Sequence, residues 1–342
     1  MVIVVCGIAS EPPVALVTDA LRRQGLPYAV LHQRRFMDTS LDIEVEGTKV
    51  LGRLRCDGRT VPCSTVTGIY TRLMDWRLLP GMPEVGPETL RHCQTWHETL
   101  GSWIEIAPGC VMNRSSATAT NGSKPYQAQL IRQAGFRVPE TLVTDDPALA
   151  LAFRARHGRV VYKSISAVRS IVHLLDDEAV DRLPLIRSCP VQFQRYVPGV
   201  DVRVHMVADE PLATRIDSDR VDYRYAGRYG GRVELTPWDL PEDLARRCTD
   251  LVTRLGLALA GIDLVLADDG DVYCFEVNPS PAFSYYEDHT GQPISQAIAH
   301  ALGRGLSTPA HNHLPEEVCD EHLSQCEEQS DRRVDGPLRR TA

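Results

Sequence analysis

A predicted β-hairpin with an acid on each strand is the feature that most restricts the fold. Residues 261–283 read GIDLVLADDGDVYCFEVNPSPAF, two apolar strand-like segments joined by Asp269-Gly270. Asp-Gly is the preferred dipeptide of a two-residue type I′ turn. With that turn, Asp268 faces Asp271, and the turn fixes which residues of the two strands stand opposite each other.

The register of this hairpin brings three polar residues together. It places Asp263 opposite Glu276, and Asn278 opposite Gly261, which leaves room beside the amide. Opposed residues have Cβ atoms about 4.5–5.5 Å apart, and residues two apart share a face. Two carboxylates at that distance repel each other unless a cation neutralises them. Oxygen ligands with space left for phosphate and water are typical of a Mg²⁺ or Mn²⁺ site.

The alternative interpretation is a half-exposed hairpin whose polar face is simply solvated. A solvated face would carry polar side chains at the neighbouring positions as well. The residues expected there, Val265, Val272 and Cys274, are apolar. The pattern therefore favours the metal site.

Composition excludes several classes of protein. A chain of 342 residues predicts two or three lobes, and a net charge of −8 argues against a general nucleic-acid binder. The ten cysteines form no CxxC pair, so reduced core cysteines are favoured over disulfides or a zinc site. The start, MVIVVCGIAS, lacks a basic region, and no later segment is apolar enough to span a membrane. We expect a cytoplasmic protein that binds neither nucleic acid nor membranes.

The amino-terminal part alternates strand and helix patterns. MVIVVCGI, YAVLHQ and TVTGIYTRL are typical of strands, and Val14, Val17 and Leu21 repeat at helical spacing before Gly25. This alternation predicts an α/β lobe with a parallel sheet. The loop GIASEPP lacks GxGxxG, so a dinucleotide site is not supported.

A second unit begins near Val111. A helix is predicted between Ser123 and Gly135, then the strands RVVYKSIS and CPVQFQRYV and a hairpin with its turn at 208–211. A strongly amphipathic helix follows, with one apolar face made of Leu244, Cys248, Leu251, Val252 and Leu255. Residues 306–342 hold eight acidic and four basic side chains and are predicted to be disordered.

Lysine usage also points to phosphate. The chain has Lys124 at the start of a predicted helix, Lys163 in a predicted strand, and otherwise only Lys49. Lys is a compact point charge suited to phosphate, which a magnesium site usually accompanies. The alternative, two ordinary surface lysines, is weakened by the hairpin. Arg203 and Arg215, on the arms of the second hairpin, are further candidate cations.

These motifs occur in an order that resembles a known family. Lys124, Lys163, FQRYVPGVDVRV, ATRI, GIDLV and FEVNPS are similar to the ATP-grasp carboxylate ligases of the RimK-type branch, over residues 111–303. RVDYR, LTPWDLPEDL and TGQPISQAIAHAL resemble the microviridin-type (graspetide) peptide-modifying ligases, and GIYTRL resembles their pre-ATP-grasp lobe. The resemblance implies an α/β pre-ATP-grasp domain at 1–110 and ATP-grasp subdomains at 111–190 and 191–305, before the tail.

The resemblance also implies roles for individual residues. Lys124 and Lys163 would contact the nucleotide phosphates, and Asp201, which strand alternation puts on one face with Arg203, would bind ribose. The adenine would meet Gln194, Arg195, Tyr196 and Val197. The metal ligands would be Asp263, Glu276 and Asn278. Arg203 and Arg215 are the candidate catalytic cations, with Arg215 near the transferred phosphoryl group.

Two departures from the family pattern affect these roles. The hinge usually carries Gln-Glu, so with Arg195 in the second position the adenine contacts would rely more on backbone groups. The loop SISAVRS lacks the usual glycines, as it does in microviridin-type ligases. Whether Ser164, Ser166 or Arg169 contacts phosphate stays open.

The implied activity is ATP- and Mg²⁺-dependent (or Mn²⁺-dependent) ligation through an acyl phosphate. A carboxylate would be joined to an amine or hydroxyl acceptor, and a peptide or protein substrate is favoured because the Arg-rich RYAGRYGGR could hold an acidic peptide. A solvated loop is the other interpretation of that segment. Alternatives are a ligase for small carboxylates and a non-catalytic, ATP-binding regulatory protein. A homodimer is a further expectation.

Overall fold

The computed structural model describes residues 1–80, 85–165, 171–219, 221–224 and 230–305. Several predictions concern residues outside these ranges. They are the phosphate contacts of Ser166 and Arg169, the middle of the RYAGRYGGR segment, and the tail 306–342. Within the described ranges, no helix is both long and apolar enough to cross a membrane.

The amino-terminal lobe contains the predicted parallel sheet. Its elements in chain order are β1 (Val2–Gly7), α1 (Pro12–Arg23), β2 (Tyr28–His32), β3 (Ser40–Glu46), β4 (Lys49–Cys56), β5 (Arg59–Pro62), β6 (Val66–Thr71), α2 (Pro87–Ile106) and β7 (Cys110–Met112). The parallel strands lie in the order β2-β1-β6-β7, and β3, β4 and β5 form a separate antiparallel sheet. Strand β1 is apolar throughout because both of its faces are covered.

A small antiparallel sheet follows. The elements are α3 (Ser115–Thr118), α4 (Lys124–Gln133), β8 (Thr141–Thr144), α5 (Pro147–His157), β9 (Val160–Ser164), β10 (His173–Leu174), α6 (Asp177–Asp181) and β11 (Val191–Arg195). Ser123 holds the N-cap position of α4, but its side chain makes no capping bond. Strand β11 pairs with β8 and β9, so this sheet extends to Arg195.

The candidate site lies on the last sheet, a five-stranded antiparallel one. Its elements are β12 (Gly199–Val207), β13 (Glu210–Ser218), β14 (Val233–Trp238), α7 (Glu242–Arg254), β15 (Leu259–Ala267), β16 (Val272–Asn278), α8 (Ser284–Thr290) and α9 (Ile294–Arg304). The strand order is β14-β13-β12-β15-β16. Helix α7 buries its predicted apolar face in a core with Val204 and Ile262. The other face of the sheet carries the polar residues.

The β15–β16 turn differs from the predicted two-residue type. The Ala267 amide donates to the Asp271 carbonyl at 2.9 Å, and the Gly270 amide donates to the Ala267 carbonyl at 2.9 Å. The loop therefore has three residues, with Gly270 at φ 86° in the left-handed region that glycine tolerates. This is the three-residue hairpin connection that ends in a glycine bulge.

A β-bulge restores the predicted pairing at the acids. Near the turn, Leu264 pairs with Cys274, which is one residue out of the predicted register. Because Phe275 is an extra residue on β16, Asp263 nevertheless pairs with Glu276. The expectation that Cys274 shares the face of the acids is wrong, since Cys274 and Leu264 lie in the core of the opposite face.

The neighbouring apolar residues divide between the two faces for the same reason. Val265 lies on the face of Asp263, as expected, and packs with Tyr273. Val272 was expected on that face too, but it pairs with Leu266 and packs against the opposite core. The apolar neighbours on the face of the acids are therefore Val265 and the ring of Tyr273, with which it packs.

The end of the amino-terminal lobe is attached to the last sheet by Asn113. Its Nδ2 donates to the carbonyls of Leu259 and Pro279, each at 2.6 Å. Its Oδ1 accepts from the amides of Ala258 at 2.8 Å and Leu259 at 3.1 Å. The side chain is buried, so every one of these groups would lose its partner if Asn113 were removed.

We expect Asn113→Ala to lower the free energy of unfolding by about 2–4 kcal/mol, because it leaves buried backbone groups unpaired. Asn113→Asp keeps the acceptor but turns an ionised oxygen, which cannot donate, toward the Leu259 and Pro279 carbonyls, so it should also be less stable than wild type. Gln94→Ala, which removes an exposed bond to Glu98, is the control and should change stability by less than about 0.5 kcal/mol. Urea unfolding measures all three. An Asn113→Ala value as small as the control would contradict this account.

Candidate active site

Five predicted residues lie on one face of three adjacent strands. Asp201 and Arg203 are two apart on β12, and Arg203 pairs with Asp263 of β15. Asp263 in turn pairs with Glu276 of β16, while Asn278 pairs with Gly261. Directly paired residues share a face, so all five polar side chains project from the same side.

Each acid of the pair has its own cationic partner. The Arg203 Nη1 lies 2.5 Å from the Asp263 Oδ1. The Glu276 Oε2 lies 3.3 Å from the Lys124 Nζ and 3.7 Å from the Lys163 Nζ. These cations offset the repulsion expected between two opposed carboxylates.

The third predicted metal ligand bridges the two acids. The Asn278 Nδ2 donates to the Asp263 Oδ2 at 3.3 Å and to the Glu276 Oε1 at 3.0 Å. A half-turn of this amide would present its oxygen instead, without moving the backbone. The three side chains can therefore supply three oxygens to one point.

The two lysines reach Glu276 from different elements. Lys124 is the first residue of α4 and also donates to the Asn121 Oδ1 at 2.8 Å, whereas Lys163 lies in β9 of the small sheet. Their side chains are only 19% and 15% exposed. The alternative of two ordinary surface lysines does not describe these positions.

The charge on Glu276 is strongly favoured. Burial by itself would raise the pKa of this carboxyl, but Lys163 and Lys124, together with the hydrogen bond from Asn278, lower its pKa to about 2. Glu276 is thus ionised throughout the neutral range. Ionised carboxylates are the form that binds Mg²⁺.

Arg203 occupies the space predicted beside Gly261. A Cβ at Gly261 would overlap the Arg203 guanidinium, so only glycine allows this approach. The guanidinium also lies 5.7 Å from the Tyr286 ring centroid. Burial lowers the pKa of Arg203, but Asp263 and the neighbouring tyrosines raise that pKa by a larger amount. The net pKa of Arg203 therefore lies above its ordinary value. Arg203 is a fixed positive charge.

Asp201 has the opposite electrostatic situation to Glu276. Burial, and then the like charges of Asp263 and Asp222, raise the pKa of Asp201 to about 7. In the part of the chain that the structure describes, no lysine or arginine forms an ion pair with Asp201. A group that takes up charge near neutrality fits a hydrogen-bonding role toward a ligand hydroxyl.

The structure does not bring Arg215 to this cluster. Arg215 pairs with Val202, whose side chain lies in the core of the opposite face. Its Nε lies 3.2 Å from the Asp217 Oδ2 in an exposed ion pair. The turn at 208–209 sets this register, because Val207 pairs with Glu210.

The predicted hinge residues connect the small sheet to β12. The buried Gln194 donates to the Thr141 Oγ1 at 3.1 Å, and the Arg195 Nε lies 2.5 Å from a Glu140 carboxylate oxygen. The amides of Arg195 and Tyr196 donate to the carbonyls of Glu140 and Arg159, at 2.9 and 3.0 Å. Those two amides are therefore engaged within the protein, and an adenine base would need other hinge groups.

Val197, the last predicted hinge residue, is buried in the small cluster with Val265 and Tyr273. The Arg195 Nη2 also donates to the Tyr273 hydroxyl at 2.8 Å. The hinge thus contacts the same strand pair that carries the acids. These contacts place residues 194–197 beside the polar face.

Sequence reasoning missed several residues that organise this face. The buried Gln127 of α4 bonds both backbone groups of Val277, and a polar residue on an apolar helix face was the available signal. The Tyr223 hydroxyl lies 2.7 Å from that of Tyr286, against Arg203. Asp222 accepts from the Val172 amide at 3.2 Å. RVDYR is part of the family resemblance, but no local sequence pattern predicts the contacts of Asp222 and Tyr223 with Val172 and Tyr286.

The donor set fits magnesium better than a transition metal. In the described part of the chain, no group of three His, Cys, Asp or Glu side chains could hold a metal. Two carboxylates and one amide remain, and Mg²⁺ characteristically takes one or two carboxylates and completes its shell with phosphate and water. The adjacent lysines suit those phosphates.

Comparisons with known proteins agree with this geometry. Residues 122–283 match the family model of the ATP-grasp domain. A probable alpha-L-glutamate ligase of Chromohalobacter salexigens is 24% identical over 220 residues, which cover 60% of this chain and 71% of the relative. This segment of the chain therefore resembles an ATP-grasp domain.

Solved structures share the fold over nearly the whole chain. The ATP-grasp ligase PsnB complexed with a minimal precursor has a TM-score of 0.72 at 25% identity, covering 89% of this chain and 98% of that one. The macrocyclase MdnC from Microcystis aeruginosa MRC, bound with precursor peptide MdnA, has a TM-score of 0.73 at 22% identity, covering 89% and 100%. The predicted fold class, an amino-terminal α/β lobe followed by an ATP-grasp fold, is confirmed.

Asp201→Asn should flatten the pH dependence of stability. Because the pKa of Asp201 is about 7 in the folded protein against an ordinary 3.8, the folded state holds a proton that the unfolded chain has released between those values. The free energy of unfolding therefore falls as pH rises from about 4 to 7, and the penalty is complete above pH 7. The variant lacks this penalty. Its stability gain over wild type should be larger at pH 8 than at pH 5.

Urea unfolding at the two pH values measures the difference. Asp268→Asn, in the exposed turn, is the matched control and should behave alike at both. A gain for Asp201→Asn that does not change with pH would show that the raised pKa is absent.

Proposed function

We propose that this chain, in which residues 122–283 match the ATP-grasp domain, is an ATP-dependent ligase that joins a carboxylate on a peptide or protein to an amine or hydroxyl. One observation carries the proposal. Lys124 from α4 and Lys163 from β9 both lie beside Glu276 of β16, and Glu276 pairs with Asp263 of β15. Two lysines from different elements beside two carboxyl groups would form a site for a nucleotide phosphate with its metal.

The residues at the acid pair would hold the metal and the phosphates. Asp263, Glu276 and Asn278 are the proposed Mg²⁺ ligands, and Mn²⁺ would accept the same oxygens. When bound, the ion would neutralise charge on the β- and γ-phosphates. Lys124 and Lys163, which lie beside Glu276, would contact the phosphate oxygens.

The nucleoside would lie toward β12 and the hinge. Asp201 is the proposed acceptor for a ribose hydroxyl, and residues 194–197 border the proposed adenine position. Arg203 remains a candidate catalytic cation, because its charge is fixed on the polar face by Asp263 and Tyr286. Arg215 lies on the opposite face of the sheet, in an exposed ion pair with Asp217, and would not contact the phosphoryl group from there.

The proposed reaction has two steps. A substrate carboxylate oxygen attacks the γ-phosphorus of ATP, the bond to the β-phosphate oxygen breaks, and ADP leaves. The acceptor nitrogen or oxygen then attacks the acyl carbon, loses its proton and expels inorganic phosphate. The chain supplies position and positive charge, so none of its side chains has to become covalently bonded.

A peptide substrate is favoured by the similarity to PsnB, since 25% identity and a TM-score of 0.72 extend over 89% of this chain. Structures of that ligase hold a minimal precursor or the precursor peptide PsnA2. A second candidate is a ligase for small carboxylates. The similarity to a probable alpha-L-glutamate ligase favours it.

Incubating the protein with ATP, Mg²⁺ and peptides rich in Asp or Glu distinguishes the candidates. We expect ADP release that depends on the peptide, with a product lighter by one water per bond in mass spectrometry. Free amino acids should give no ADP release above background. Release with amino acids alone would favour the small-carboxylate ligase, and ATP binding without release by any acceptor would favour a regulatory protein.

Glu276→Gln should reduce Mg²⁺-dependent ATP turnover by at least about 100-fold. The amide keeps the shape of the side chain but removes the charge that faces the metal and both lysines. Glu234→Gln, an exposed acid on β14, is the matched control and should retain wild-type turnover. Steady-state ADP production measures both, and circular dichroism checks the fold. Turnover that persists in the Glu276 variant would contradict the metal assignment.

A further inference from the structure

The segment that follows Asn278 is held by side chains from the amino-terminal part of the chain. Asn113 donates to the Pro279 carbonyl at 2.6 Å. Arg72 donates from one nitrogen, Nη1, to the carbonyls of Ser280 at 3.2 Å and Pro281 at 3.0 Å. Three consecutive carbonyls therefore have side-chain donors that come from outside this lobe's own sheet.

The residue before Asn278 is held in the same manner. The Gln127 Nε2 donates to the Val277 carbonyl at 2.9 Å, and its Oε1 accepts from the Val277 amide at 3.0 Å. The backbone on both sides of Asn278 is thus anchored by amide and guanidinium groups. Asn278 itself remains directed at the acids.

This anchoring matters because β16 is an edge strand. Among the described residues its one strand neighbour is β15; on its outer side only Arg137 bridges to Tyr273, far from the end of the strand, and Asn278 is its last residue. Strand ends at a sheet edge open most easily. Pro279 and Pro281 have no amide hydrogen, so backbone bonding cannot extend the strand past Asn278. Side chains from other elements hold the segment after Asn278 instead.

Arg72 contributes position and little net charge. Its Nε and Nη2 donate to the Glu11 Oε1 at 2.9 and 2.5 Å, so the guanidinium is neutralised and oriented by an acid next to α1. Its side chain is 13% exposed. Arg72 follows β6, and its amide donates to the Cys6 carbonyl at 2.8 Å, which ties it to β1. The parallel sheet is therefore joined rigidly to the segment after Asn278.

We propose that Arg72 is a positioning residue for the metal ligand Asn278, so that the amino-terminal lobe sets the geometry of the metal site. The inference rests on the proposed function, because it takes Asn278 as a ligand. Arg72 touches neither metal nor nucleotide. Residues that orient metal ligands commonly change metal affinity by about 10–100-fold when they are replaced.

The chain offers a matched control. Arg114 donates to three carbonyls, those of Ile104 and Glu105 at 2.6 Å and Ala107 at 2.9 Å. Those carbonyls belong to the end of α2 and not to the segment after Asn278. Arg72 donates to two carbonyls, to the Ser280 Oγ and to Glu11, so both Arg72→Met and Arg114→Met remove several hydrogen bonds, but only the first should alter the metal site.

Electron paramagnetic resonance of Mn²⁺ measures metal binding directly, without turnover. The full-length protein is titrated with Mn²⁺ in the presence of ADP, and ADP binding without metal is measured by calorimetry. Arg72→Met should weaken Mn²⁺ binding by about tenfold while leaving metal-free ADP affinity within about twofold. Arg72→Lys should recover part of the loss. Arg114→Met should match wild type in Mn²⁺ affinity. Urea unfolding should show that this variant is nevertheless less stable than wild type.

The outcomes separate the inference from the proposed function. If wild type binds Mn²⁺ with ADP and Arg72→Met binds it equally well, the inference is wrong and the proposed function stands. If wild type itself binds no Mn²⁺, both are wrong. Should Arg72→Met fail to fold, Glu11→Gln carries the test, because it removes only the acid that orients Arg72. A several-fold weaker Mn²⁺ affinity in Glu11→Gln supports the inference, and unchanged affinity overturns it.

Discussion

Repulsion between two carboxylates that face each other across adjacent strands is the constraint on which the site depends. Asp263 and Glu276 can both stay ionised only if cations approach each of them. Arg203 neutralises one acid from β12, and Lys124 and Lys163 neutralise the other from α4 and β9. The arrangement therefore exists only in the assembled fold, since its charges come from three separate regions of the chain.

The pairing of the acids could be predicted from sequence, although one of the reasons for it was wrong. The Asp-Gly dipeptide does mark the turn, but the loop holds three residues, and the extra Phe275 on β16 compensates for the shift. Periodicity cannot reveal such a bulge, because one inserted residue reverses the faces beyond it. For that reason the faces of Val272 and Cys274 were predicted incorrectly while Asp263 and Glu276 were not.

Other parts of the site depend on contacts between distant segments. The rarity of lysine identified Lys124 and Lys163, but only the packed structure brings both to Glu276. Arg215 was expected near the phosphates because of its place in the motif order, whereas the short turn at 208–209 sets it opposite Val202. Asn113, which directly follows the short apolar strand β7, gives no local sign that it bonds to backbone far along the chain.

The packing of α9 has a consequence for how the protein is made. Residues Ile298 and Leu302 of α9 share a core with Ile3 and Val5 of β1, so one face of the first strand is covered by one of the last helices. Domains usually fold in the order in which they leave the ribosome. Here the first sheet has to wait, with apolar surface uncovered, until almost all of the described chain has been synthesised.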